Sequence, residues 1–229
     1  MTDALAYTLV PVAAAGLGAG VAVWRRPGAA ITSAVQHFAA GVVFAAAAAE
    51  ILPDVMHGRS PAATVIGGAI GVLVMLGIKR FEVSAKGPVG LLAAVGIDIF
   101  IDGLVLGLAF LAGAKAGLLL TIALTLEILF LGLTLTAELG EVLKRRMQMV
   151  GATVAVALLL PLGALASTPV SALPPTVITG FLSFGLMALL YLVTEELLVE
   201  AHKKPDNVWI TSAFFIGFLA LLALEEMIG

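Results

Sequence analysis

Apolar positions run along this chain in eight long blocks, each divided from the next by a short cluster of charged or turn-forming residues. The blocks fall at roughly 4–24, 31–56, 61–79, 88–112, 117–142, 149–171, 176–201 and 208–228. Each approaches or exceeds the ~20 apolar residues that cross a hydrocarbon core about 30 Å thick. Within lipid every backbone N–H and C=O needs an internal partner, and the blocks lack strict alternation, so they predict helices rather than barrel strands. The dividers are Arg25-Arg26-Pro27-Gly28, Gly58-Arg59-Ser60-Pro61, Lys86-Gly87-Pro88, Gly113-Ala114-Lys115, Lys144-Arg145-Arg146, Ser171-Ala172-Leu173-Pro174-Pro175 and Lys203-Lys204-Pro205-Asp206. A lipid-facing helix would not hold such clusters. The expectation is an all-α integral membrane protein with a single transmembrane domain over residues 1–229. The first block has no basic stretch before it and reads as a span rather than a removed signal segment.

Composition agrees: 61% of the 229 residues are hydrophobic and 12% charged, against roughly 25% charged in soluble domains. The mean hydropathy is +1.15. The expected surroundings are a lipid bilayer, and no nucleic-acid partner is expected. Cysteine is absent, which excludes disulfides and thiolate metal sites. The net charge of -3 matters less than where the cations fall. Arg25, Arg26, Lys79, Arg80, Lys86, Lys144, Arg145, Arg146, Lys203 and Lys204 lie in or beside alternate loops, and only Arg59 and Lys115 lie in the others. By the positive-inside rule the first set is cytoplasmic, which puts both termini outside the cell's inner or plasma membrane. Small-residue ladders at Gly16-x-Gly18-x-Gly20, Gly67-Gly68-x-x-Gly71 and Gly103-x-x-x-Gly107 predict close helix packing.

Helix rise turns position into depth. Asp98 lies about 15 Å from the cytoplasmic end of the fourth helix, Asp102 is one turn further out, and Glu127 is about 15 Å from its own end of the antiparallel fifth. Asp98 and Asp102, four residues apart, share a helix face. An ionised carboxylate at this depth costs ~2.5–3.5 kcal/mol on insertion scales, and no Lys or Arg falls at the same depth in sequence. The three acids therefore point to a mobile cation as partner, with protonation or hydrogen bonds to Thr125 or Thr134 as the structural alternative. Other polar groups sort to two mouths. Glu50, Asp54 and His57 stand at the outer end of the second helix, as an entrance. His37 on that helix and Glu195, Glu196, Glu200 and His202 on the seventh stand at the inner end, as an exit, with Glu138 and Glu141 at the same level. By helix rise, Glu196 and Glu200 are about 20 Å or more from the central acids. Glu225 and Glu226 read as solvated. Glu50-Ile-Leu-Pro-Asp54 echoes Glu196-Leu-Leu-Val-Glu200, with Phe38 and Phe184 twelve residues before the first Glu of each. The echo suggests inverted repeats of helices 1–3 and 6–8, an arrangement that sets ion sites at the repeat boundary.

These residues resemble the ZIP (Zrt/Irt-like) family of divalent metal transporters, in a divergent bacterial-type form. His37-Phe-Ala-Ala-Gly-Val-Val-Phe with Glu50-Ile-Leu-Pro-Asp is similar to that family's second helix, and Asp98-Ile-Phe-Ile-Asp102-Gly103 to its fourth-helix His-Asn-x-Pro-[Asp/Glu]-Gly motif. Glu127-Ile-Leu-Phe-Leu-Gly132 stands where its His-Glu-x-Pro-Glu-Gly motif falls, and Tyr191-Leu-Val-Thr-Glu-Glu-Leu-Leu-Val-Glu200-Ala-His202 is like its seventh helix. The resemblance implies eight helices in a 3+2+3 arrangement and a metal bound by Asp98, Asp102 and Glu127. It also implies helices 1, 4, 5 and 6 sliding against helices 2, 3, 7 and 8, and a homodimer formed through the latter. The chain departs from the family in several places. Ile99, Ile128 and Leu131 fill the positions of a second metal site, Ile101 and Phe130 replace the motif prolines, and the loop after the third helix is short and lacks His. One oxygen-ligand site is then expected. It would suit Mn²⁺, Mg²⁺ or Fe²⁺ while still accepting Zn²⁺ or Cd²⁺ as transported ion, with no permanent cofactor.

The leading expectation is thus a non-enzymatic secondary transporter carrying divalent metal toward the cytoplasm. One alternative is a divergent relative that carries protons or another solute. The other is an intramembrane aspartyl hydrolase using Asp98 and Asp102, although sharing one helix is unusual for such a pair.

Overall fold

The computed structural model describes residues 2–24, 28–84, 87–203 and 207–228. Arg25, Arg26, Pro27, Lys86, Lys204, Pro205 and Asp206, named above among the dividers and cations, lie outside the described residues. The described residues are helical apart from short connecting turns, with no strand among them. Eight helices are long and apolar enough to cross a membrane, which fits a multi-pass membrane protein. They are α1 (Thr2–Trp24), α2 (Ala29–His57), α3 (Pro61–Ser84), α4 (Gly87–Ala112), α5 (Ala114–Leu139), α6 (Arg146–Ala172), α7 (Pro175–His202) and α8 (Val208–Ile228).

Local chemistry explains the departures from straight helix. The expected 149–171 block is broken at Leu158 into Arg146–Ala157 and Leu159–Ala166, followed by a 3-10 turn over Thr168–Ala172. Pro161 has no N–H to offer the Ala157 carbonyl, and its ring crowds that carbonyl. In α2 a wider π-helical turn spans Ala47–Ile51, where Pro53 withholds the N–H that Ala49 would accept. A matching π turn spans Leu192–Leu197 in α7. There the Thr194 hydroxyl occupies the Leu190 carbonyl at 2.9 Å, a side-chain back-bond that loosens the helical ladder. Helices α4 and α5 carry no interior proline and run unbroken.

The principal pairings are α1 with α5, α2 with α8, α3 with α7 and α4 with α6. Two of them show why glycine is needed. A Cβ on Gly18 would strike the Leu129 carbonyl, and one on Gly132 would strike the Ala15 carbonyl. Likewise Gly103 faces the Leu160 carbonyl and Gly163 the Phe100 carbonyl. Backbones therefore touch at these crossings, the packing mode open to helices in lipid. Gly41 and Gly217 reciprocate in the same way between α2 and α8, and Gly67 and Gly71 of α3 meet the α7 backbone. Of the expected ladders, Gly20 has nothing within 4 Å and Gly16 only an ordinary contact. Helices α3 and α8 bury least and turn Ile66, Leu73, Phe215 and Leu219 outward, as rim helices facing lipid do.

Candidate functional site

Helices α4 and α5 lie side by side, held from behind by α6 and α1 at the glycine crossings. Gly103 directly follows Asp102, so the backbone contact with α6 seats that carboxylate. From α4 come Asp98 and Asp102, from α5 Glu127. One ligand oxygen from each lies within 4.8 Å of the other two. All three side chains are buried, at 9%, 3% and 3% exposure. Asp102 Oδ2 and Glu127 Oε2 have no hydrogen-bond partner. The hydroxyls that could have served them are used elsewhere. Thr125 donates to the Thr121 carbonyl at 2.6 Å and Thr134 to the Phe130 carbonyl at 3.1 Å.

Two like charges 4 Å apart repel by about 1 kcal/mol in bulk water and about 4 kcal/mol at an effective dielectric of 20. Three ionised carboxylates packed this closely therefore require a cation or bound protons. Three convergent oxygens suit a hard or borderline divalent ion.

A cavity of about 180 Å³ opens beside the group, lined by Gln36, Lys79, Asp98, Glu127, Glu138, Glu195, Glu196, Glu200 and Lys203 among others. It leads from Asp98 and Glu127 to the end of the bundle bearing Lys79 and Lys203. A second cavity, of about 530 Å³, lies near Tyr7, Phe110, Lys115, Ser167 and Ile228, and the three carboxylates are not in its walls.

The expected distance of Glu196 from the centre needs correction. Its charge acts on both Asp102 and Glu127, and it shares the cavity with Asp98 and Glu127. Glu196 is six residues before the end of α7 and Asp98 eleven after the start of α4, so their depths differ by only about 7 Å. Glu195 is exposed and Glu200 half-buried at the mouth, where Glu200 accepts from Lys203 at 3.0 Å.

At the opposite end Glu50 and Asp54 are half-buried and His57 is exposed. Glu50 lies within electrostatic reach of Glu225, Asp54 and Lys115. Glu225 is therefore a half-buried member of this group rather than a solvated terminal acid. Glu226 is exposed as expected.

His37 and His202 come together across α2 and α7, with ring centres 4.9 Å apart. Two cavity residues escaped the sequence reading. Gln36 is 4% exposed; as the lone amide of an apolar block it was a visible signal. Lys79 was counted only for topology, yet it is a cation in the cavity wall.

Ile99 and Ile128 are buried in the hydrophobic core and Leu131 packs against it. Compared with known proteins, the chain matches no family model and no curated sequence.

Proposed function

We propose that the protein is a secondary transporter that carries a divalent metal cation across the membrane toward the cytoplasm. The carrying observation is the buried Asp98, Asp102 and Glu127 group, whose oxygens gather within 4.8 Å at the head of a cavity. An intramembrane carboxylate group is by default a functional site, and a transported ion would satisfy the unpartnered oxygens of Asp102 and Glu127. In this reading metal enters past Glu50, Asp54 and His57. It binds the three carboxylates, passes Glu196, and leaves past Glu195 and Glu200, with His37 and His202 beside the exit. The cations Lys79, Arg80, Lys144, Arg145, Arg146 and Lys203 mark the exit side as cytoplasmic and the termini as external. Mn²⁺, Fe²⁺, Zn²⁺ and Cd²⁺ are the candidate substrates.

The resemblance to ZIP transporters supports the same reading and adds a 3+2+3 plan with inverted repeats. Exchanging α1 with α6, α2 with α7, α3 with α8 and α4 with α5 converts each principal helix pairing into another of the four. Glu50 and Glu196 are each the next-to-last residue of a π-helical turn, and π turns favour functional positions. The echoing Phe38 and Phe184 each set a carbonyl against a glycine of the partner helix, Gly217 and Gly71. The pairings also divide the helices into α1, α4, α5, α6 and α2, α3, α7, α8, the sets that would slide past each other. A homodimer would form through the second set.

The test is titration of purified protein with Mn²⁺, Fe²⁺, Zn²⁺, Cd²⁺ and Mg²⁺, followed by uptake into proteoliposomes. Saturable uptake of at least one ion is expected; uptake of none would overturn the reading. One observation favours a second reading. Buried Ile99 and Ile128 offer no second-site ligands, so proton movement without metal would identify a proton carrier.

A further inference from the structure

One groove on the outside of the bundle carries a cation at its head. Pro61, Thr64, Val65, Gly68, Ala69 and Val72 repeat at helical spacing along one face of α3 and line a groove of about 640 Å³. Val55 and Met56 of α2 and Leu186 and Met187 of α7 form its other walls. Val65 and Met56 are 69% and 70% exposed, so the groove is open to its surroundings. From Pro61 to Val72 the stripe rises about 16 Å, close to half of a hydrocarbon core ~30 Å thick. The groove therefore has the depth of one leaflet. Ser183 on the α7 wall donates its hydroxyl to the Thr64 carbonyl at 2.7 Å, so its polarity is satisfied within the protein.

Arg59 lines the same groove, at the end where α2 gives way to α3. Its guanidinium makes no ion pair or hydrogen bond with any described residue. Lys115, the other cation in the loops at this end, is taken up by Glu225 at 3.5 Å. Arg59 also holds a φ of 46°, in the left-handed region that residues with a side chain rarely adopt. Glycine takes that conformation freely, yet Gly58 stands one place earlier with a helical φ of -62°. Residues held in such conformations cluster at ligand clamps and active sites. The opposite face of α3 differs. There Ala63, Ile66, Gly67 and Ile70 line a groove of about 580 Å³ against Phe181 and Phe184 of α7, and no charged residue is among its described walls.

We propose that the Arg59 groove binds one anionic phospholipid, its acyl chain laid along α3 and its phosphate paired with the Arg59 guanidinium. An apolar trough one leaflet deep with a single cation at its head is complementary to such a lipid in both shape and charge. Guanidinium pairs with phosphate oxygens through two parallel hydrogen bonds, whereas a zwitterionic headgroup brings its own cation to compete. The site is independent of the metal reading and of the direction of transport.

Native mass spectrometry of the purified full chain, offered equal amounts of phosphatidylglycerol and phosphatidylcholine of the same chain length, is the test. One phosphatidylglycerol per chain should be retained over phosphatidylcholine by about fivefold, the effect of one basic side chain near anionic lipid. Arg59→Gln should abolish the preference, and Arg59→Lys should keep most of it. Ala69→Phe should also abolish it by filling the groove, while Ile70→Phe on the opposite face should leave it as in the parent. Arg59, Ala69 and Ile70 are all exposed, so these substitutions leave the fold intact. Equal retention of the two lipids by the parent overturns the proposal. So does a preference that survives Arg59→Gln or Ala69→Phe. A lipid-free dimer that Ala69→Phe dissociates would assign the groove to a second copy of the chain, and overturns it as well.

Discussion

Lys115 Nζ lies 3.5 Å from Glu225 Oε1, joining the first turn of α5 to the last turn of α8. Glu50 stands within electrostatic reach of both. The pair is partly exposed, so its breakage should cost less than about 1 kcal/mol. Its larger effect is electrostatic. Lys115→Gln leaves Glu50, Asp54 and Glu225 without their cation, and a more negative cleft concentrates divalent ions. The expected outcome is a lower KM for uptake at low ionic strength, with the gain vanishing in high salt. An unchanged or higher KM at low salt contradicts entry at this end.

The central carboxylates make the sharper prediction. Asp98→Asn and Glu127→Gln should each abolish metal uptake while the protein still folds. The metal-free form should melt at the same temperature as the parent or higher, because a buried like-charge repulsion is relieved. Metal should raise the melting point of the parent by mass action and leave the variants unmoved. Normal uptake by either variant would show that the acids are structural groups or a proton relay.

Converting Ile99→Asn, Ile128→Asp and Leu131→Glu together should create a second binding position. Ile99 and Ile128 are 2% and 1% exposed, so each unpaired polar group costs about 1–3 kcal/mol in the metal-free protein. The triple variant should therefore be unstable without metal, recover with it, and bind one more ion per chain than the parent in equilibrium dialysis. Equal stoichiometry would contradict the design.

Glycine substitutions should separate contact from propensity. Gly18→Ala and Gly103→Ala place a methyl against backbone carbonyls of α5 and α6, and each should lower the melting temperature in detergent sharply. Gly20 has open space around it, so Gly20→Ala should be neutral or stabilise by up to about 1 kcal/mol. Equal effects at all three positions would argue against the close crossings.

Sidedness can be read by single-cysteine labelling, since the chain has no native cysteine. Cysteines at positions 60 and 171 should react from outside intact cells, and one at 84 only after lysis. External labelling at 84 would reverse the orientation.

The spans were legible because lipid leaves the backbone few options, so a run of apolar residues almost defines a helix. Asp98 and Asp102 were legible as a pair from spacing within one helix, and Glu127 joined them through the depth of a consecutive antiparallel helix. Properties that depend on which helices touch were not legible. Glu196 was placed too far away, Glu225 was assigned to solvent, and the contact between His37 and His202 required knowing that α2 and α7 meet at that end. The kink in α6 had its signal in Pro161, which an unbroken apolar block obscured.

Each close helix pairing, α1 with α5, α2 with α8, α3 with α7 and α4 with α6, joins one of the first four helices to one of the last four. During synthesis, then, the first half of the chain enters the bilayer with its glycine grooves empty. Its proper partners do not yet exist. Assembly cannot proceed by adding finished hairpins in order; it must wait for α5, and it ends only when α8 closes onto α2. The nascent first half is the stage most open to mispairing and to quality-control proteolysis, and the halves of this protein act as each other's folding template.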